Sequence, residues 1–71
     1  MTRSMLSARN QLPGIIEEVR FGTIMAHVVV RIGESQVESV ITRSSAEEMG
    51  LKKGDSVHVV VKSTEVMLQK P

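Results

Sequence analysis

The sequence predicts an all-β domain with one short helix, and three observations carry that reading. Short runs rich in Val and Ile recur between glycine-containing turns, and the clearest of them alternate in polarity with a period of two. Hydrophobic residues make up 41% of the chain, yet Phe21 is its one aromatic, so the apolar volume is mostly Val, Ile, Leu and Met. That is the composition of a pleated core. Helix start and stop signals occur together in one place, between Ser44 and Gly50.

Met1 to Met5 show no pattern and are expected to be a loose extension ahead of an alternative start at Met5, leaving residues 6–71 as a single domain. Leu6 to Leu12 reads as a first strand, ended by Pro13-Gly14, a pair that marks a turn and denies a ladder one donor. Ile15 to Phe21 reads as a second, with Gly22-Thr23 turning the chain. From Ile24 to Ile32 the alternation is clear: Ile24, Ala26, Val28, Val30 and Ile32 share one face, and Met25, His27, Val29 and Arg31 the other. The second face is half apolar, which points to a partner subunit over part of it.

Gly33-Glu34-Ser35 turns the chain again, and Gln36 to Thr42 returns with Val37 and Ile41 inward. Ser44-Ser45-Ala46-Glu47 fits a capping box, and Gly50 supplies a left-handed stop, so a helix of one or two turns is expected over Ser44 or Ser45 to Met49. Leu51 to Asp55 is a turn. Ser56 to Lys62 is the cleanest strand, with Val57, Val59 and Val61 on one face and His58 and Val60 on the other, and Glu65 to Gln69 reads as the last. Five or six short strands, with a short helix before the penultimate one, predict a small OB-like β-barrel, closed or partly open.

Seventy-one residues form one domain that buries only about 60% of the surface of its unfolded chain, which leaves a lone core marginal. With no cysteine there is no disulfide, and two separated histidines do not make a closed zinc site. Oligomerisation is the remaining remedy. Nine basic and eight acidic residues are interspersed for a net charge of +1, which gives no footprint for nucleic acid or a membrane surface. No stretch has the length of a membrane span and the N-terminus lacks the apolar core of a signal peptide, so the cytoplasm is the expected compartment.

Chemistry concentrates at the two ends. Ser7-Ala8-Arg9-Asn10-Gln11-Leu12 and Val61-Lys62-Ser63-Thr64-Glu65-Val66-Met67 set hydroxyl, amide and cationic donors beside β-strand residues, as a small-oxyanion site requires, and neither contains a catalytic base. Each residue also has a plainer explanation. A Ser-x-Arg on a short strand is usually solvated surface, Lys62 can guard a sheet edge against aggregation, and Thr42 and Ser45 suit capping. Glu17-Glu18 and Glu47-Glu48 are sequence neighbours that point apart and cannot share a proton as a catalytic dyad. His27 and His58 lie on separate strands, and the glycines are scattered among turns without forming a phosphate loop.

At these residues the chain resembles the molbindins, small molybdate-binding proteins whose domain recurs at the tail of molybdate transporter ATPases and molybdate-responsive regulators. The resemblance lies in Ser7-Ala8-Arg9-Asn10-Gln11-Leu12, Gly22-Thr23-Ile24-Met25-Ala26, Ile41-Thr42-x-x-Ser45 through Gly50, and Lys62-Ser63-Thr64-Glu65-Val66-Met67. It implies a bound molybdate or tungstate held by Ser7, Arg9, Lys62, Ser63, Thr42 and Ser45, with Asn10, Ala8 and Ser44 as secondary positions. It further implies no organic cofactor, no cationic metal and no catalysis. In the family the ligands come from two subunits of a hexamer built as a trimer of dimers. Intracellular storage is the function this implies. Two other readings stand beside it: a molybdate sensor read by a protein partner, and a nucleic-acid-binding barrel, for which aromatic stacking residues are lacking.

Overall fold

In a computed structural model, which describes residues 9–71, the organising element is β1, Asn10–Phe21, a strand of 12 residues. It runs straight through Pro13-Gly14, where the sequence suggested a boundary between two strands. The reason is a change of neighbour along its length. Asn10 to Ile15 pair antiparallel with β4 (Ser56–Val61), whereas Ile15 to Phe21 pair antiparallel with β2 (Met25–Ile32). At Pro13 only β4 lies alongside, so the backbone there has one side to satisfy and tolerates a residue without an N–H. Gly14 lets the strand close over β2: a Cβ at this position would stand 2.6 Å from Val30 Cγ1 and 2.8 Å from the Arg31 carbonyl oxygen. A bulge between Ile16 and Glu18 then sharpens the twist.

β2 and β3 (Ser35–Thr42) form a hairpin in register from Met25 opposite Thr42 to Ile32 opposite Ser35, turned at Gly33 with φ +62°. The sheet order is β3-β2-β1-β4. Its inner face carries the core of Ile16, Val28 and Val30, packed by Val19, Ile32, Ile41, Leu51, Val57 and Val59. The predicted inward face of β2 is therefore correct at Ala26, Val28 and Val30, but Ile24 is 73% exposed. It falls outside the alternation because the strand begins only at Met25 and Ile24 still belongs to the turn, its carbonyl accepting from the Arg43 N–H.

The helix α1 spans Arg43–Met49 and starts earlier than the capping box implied. Thr42, still extended at φ −69° and ψ 148°, is the N-cap, and its Oγ1 accepts from the Ser45 N–H at 3.1 Å. Glu47 pairs with Arg43 instead of reaching back to the cap. Gly50 ends the helix as expected, left-handed at φ +62°, its N–H directed to the Ala46 and Glu47 carbonyls. Losing the cap in Thr42→Ala is expected to cost about 1 kcal/mol, a fall of roughly 4–8 °C in Tm by circular dichroism.

The expected strand from Glu65 to Gln69 is not formed. Ser63–Glu65 make a single 3-10 turn, and residues 66–71 that follow have no regular structure. Val66, Met67 and Leu68 lie in the open, the last two at 92% and 95% exposure, because no strand of the described chain runs beside them. The described residues thus contain four strands, not five or six, and β3 and β4 remain as the two sheet edges. An apolar groove of about 180 Å³ lies between them, bordered by Ile41 on one side and Val57 and Val59 on the other. The all-β class with one short helix is as the sequence predicted.

Glu17, at the bulge, ties three strands together on the outer face. Its carboxylate accepts from Arg31 at 2.5 and 3.0 Å and from Gln36 Nε2 at 2.6 Å. The Arg31 hydrogen bonds, and after them that from Gln36, hold its pKa below the ordinary glutamate value. A carboxylate with a lowered folded-state pKa adds stability above its unfolded value and loses it as the pH falls through the folded one. Glu17→Gln should therefore be less stable than the parent at neutral pH, with the difference vanishing in acid. Urea melts at stepped pH values read this directly.

Candidate anion site

The backbone register assembles the first part of the site. Asn10, the first residue of β1, lies opposite Val61, the last residue of β4. One step beyond that antiparallel pair, Arg9 and Lys62 emerge at the same end of the sheet, and Ser63 follows at the start of the 3-10 turn. All three are exposed. Ser7 and Ala8 lie outside the described residues.

Charge pairing separates these cations from the rest. Arg20 pairs with Glu18 at 2.9 Å, Arg31 with Glu17, Arg43 with Glu47 at 3.4 Å and Lys52 with Asp55 at 3.6 Å. Among the described residues neither Arg9 nor Lys62 has a carboxylate partner. Lys53 and Lys70 also lack one, but strand pairing brings no second unpaired cation beside either. Two uncompensated cations with a hydroxyl at one sheet end form a set of donors open to an anion.

Thr42, Ser44 and Ser45 form a separate group. Thr42 Oγ1 lies 2.8 Å from Ser45 Oγ and 3.4 Å from Ser44 Oγ. Thr42 pairs with Met25, next to the Phe21–Ala26 pair, so this group sits at the opposite end of β1 from Asn10. One chain therefore does not bring all the predicted ligands together. Sequence reading also passed over Arg43, which braces the helix entry: its guanidinium stands 5.5 Å from the Phe21 ring centroid and donates to the Gly22 carbonyl at 3.1 Å. No local signal links residues so far apart in the chain.

The other candidates resolve as surface structure. His27 Nε2 is 3.0 Å from Glu38 Oε1, and Glu17 and Glu18 engage different arginines. Among the described residues no group of three or more His, Asp or Glu side chains could hold a metal ion, and no helix is long and apolar enough to cross a membrane.

Comparison with known proteins places the chain. Residues 6–68 match the model of the TOBE domain. The chain belongs to the TOBE domain family. The TOBE chain is 44% identical over 64 residues to molybdenum-pterin-binding protein 1 of Clostridium pasteurianum, covering 89% of this chain and 94% of that one. It is 43% identical over 63 residues to the molybdenum transport protein ModE of Azotobacter vinelandii, covering 87% of this chain but 23% of ModE. Its fold superposes on a molybdate-binding protein from Sporomusa ovata with a TM-score of 0.90 at 33% identity, covering 94% of this chain and 100% of that one. MopII from C. pasteurianum gives a TM-score of 0.85 at 42% identity, with 92% and 98% covered. The resemblance to molbindins read from four short motifs is borne out by these relatives.

Proposed function

We propose that this TOBE chain is a non-enzymatic cytoplasmic store for molybdate, and for tungstate with it, whose sites become whole when copies assemble. The observation that carries the reading is the pair of uncompensated cations, Arg9 and Lys62, brought by the Asn10–Val61 register to one sheet end beside Ser63. Ser7, from the same first motif, joins this set. Thr42 and Ser45, with Ser44 beside them, are the proposed second group, and their place at the far end of β1 means that another copy must bring them to the anion. Asn10 and Ala8 contribute backbone and bracing contacts. The names of relatives spanning nearly the same length support molybdenum as the bound element.

Assembly has its own physical support. Among the described residues only Ile16, Ala26, Val28, Val30 and Ala46 are fully buried, while Val66, Met67 and Leu68 lie in the open and an apolar groove stays open between β3 and β4. A second copy that covers the groove and the tail removes both exposures. The resemblance to molbindins gives the stoichiometry, a trimer of dimers. Leu68→Asp should shift the protein toward smaller species in sedimentation velocity, and a parent protein that is monomeric at micromolar concentration would overturn the shared site. A sensing role through a protein partner is the second reading, favoured by the likeness to a 23% segment of the longer ModE.

Isothermal titration of anion-free protein with molybdate, tungstate and sulfate tests the function. Strong heats from the first two and little from sulfate are expected. No heat from molybdate would remove the storage reading.

A further inference from the structure

We propose that the Arg9, Lys62 and Ser63 end of the sheet discriminates by protonation state among tetrahedral oxyanions of like size, favouring those that carry no proton over those that keep one. This rests on the molybdate site proposed above. A guanidinium and an ammonium only donate, and here neither is accompanied by a carboxylate among the described residues. The nearest acid in sequence, Glu65, is exposed in the 3-10 turn and makes no ion pair with Lys62. Molybdate, tungstate, chromate and sulfate offer acceptors on all four oxygens in mildly alkaline solution. Phosphate and vanadate retain at least one proton there.

A protonated oxygen turned toward Arg9 or Lys62 sets donor against donor. The Ser63 hydroxyl or the Asn10 amide oxygen can take that proton's hydrogen bond, but the hydroxyl then faces the anion as an acceptor and no longer as a donor. The proton therefore leaves either an unsatisfied contact or one donor fewer on the anion, and such a loss weakens binding by about ten- to a hundredfold. Size is not the discriminator within suitable pairs. Sulfate and phosphate have similar dimensions and at pH 8 are both mainly dianions, so the proton is their main difference. Chromate and vanadate are both close to molybdate in size.

The experiment loads the full chain with molybdate at pH 8, adds each competitor in turn, and measures retained molybdenum by mass spectrometry after desalting. Chromate is expected to displace molybdate at concentrations at least tenfold lower than vanadate, and sulfate at least tenfold lower than phosphate. Vanadate matching chromate, or neither displacing molybdate, would overturn the inference while leaving molybdate storage intact. Failure to load molybdate at all would remove the underlying site, and with it the selection.

Discussion

Arg9→Ala is expected to bind molybdate at least about tenfold more weakly than the parent chain, because a charge-assisted hydrogen bond contributes on the order of 1.5–3 kcal/mol. Its melting temperature in anion-free solution should stay unchanged, since Arg9 is exposed, precedes β1 and makes no ion pair with a described carboxylate. Lys62→Ala should behave in the same way, at the other side of the Asn10–Val61 register pair. Lys53→Ala provides the contrast, an exposed and unpaired lysine away from this end of the sheet whose loss should leave affinity as it was. Titration calorimetry and thermal melts on the three variants separate binding from folding. If Arg9→Ala held molybdate as tightly as the parent, the first motif would have no part in the site.

Gly14→Val is the most damaging substitution expected outside the buried core. Even the first carbon of a new side chain meets Val30 Cγ1 at 2.6 Å and the Arg31 carbonyl oxygen at 2.8 Å. The second of these is backbone in the central strand pair and cannot move without breaking the β1–β2 ladder. Overpacking at such a point costs about 3 kcal/mol or more, a loss of roughly 12–24 °C in Tm for a domain of this size. Gly22→Ala is the control: its nearest contact would be the Met25 carbonyl oxygen at 3.1 Å, so a shift of a few tenths of an ångström suffices. A Gly14→Val chain that melts with the parent would mean that β1 does not approach β2 as described.

Local patterns were legible wherever one strand faced one core. The inward set Ala26, Val28 and Val30 followed from alternation alone, and Gly50 was recognisable as a helix stop. Pro13-Gly14 misled because a turn and a close strand crossing favour the same residues; what distinguishes them is that β1 changes partner from β4 to β2, a tertiary fact. Val66-Met67-Leu68 has the composition of a strand, but a strand needs a neighbour, and the described chain supplies none. Thr42 is recognisable in the sequence as suited to capping, but the capping box puts the helix start at Ser44 or Ser45, because it is the position of Thr42 at the end of β3 that decides where the helix begins.

The candidate site was legible in a different way. Residue types at the two ends of the chain suggested anion chemistry, but nothing local links Arg9 to Lys62; only the β1–β4 register does. The separation of Thr42, Ser44 and Ser45 from that pair was likewise invisible, because the twelve residues of β1 stand between two groups that a motif reading treats as one. A site divided between copies, as proposed here, would leave no periodic trace in a single sequence.

The most direct measurement is a crystal structure of the molybdate-loaded protein with anomalous data collected at the molybdenum absorption edge. The expected anomalous peak lies within hydrogen-bonding distance of Arg9, Lys62 and Ser63 at an interface between copies. A peak bounded by one chain alone, or one remote from Arg9 and Lys62, would contradict the shared site.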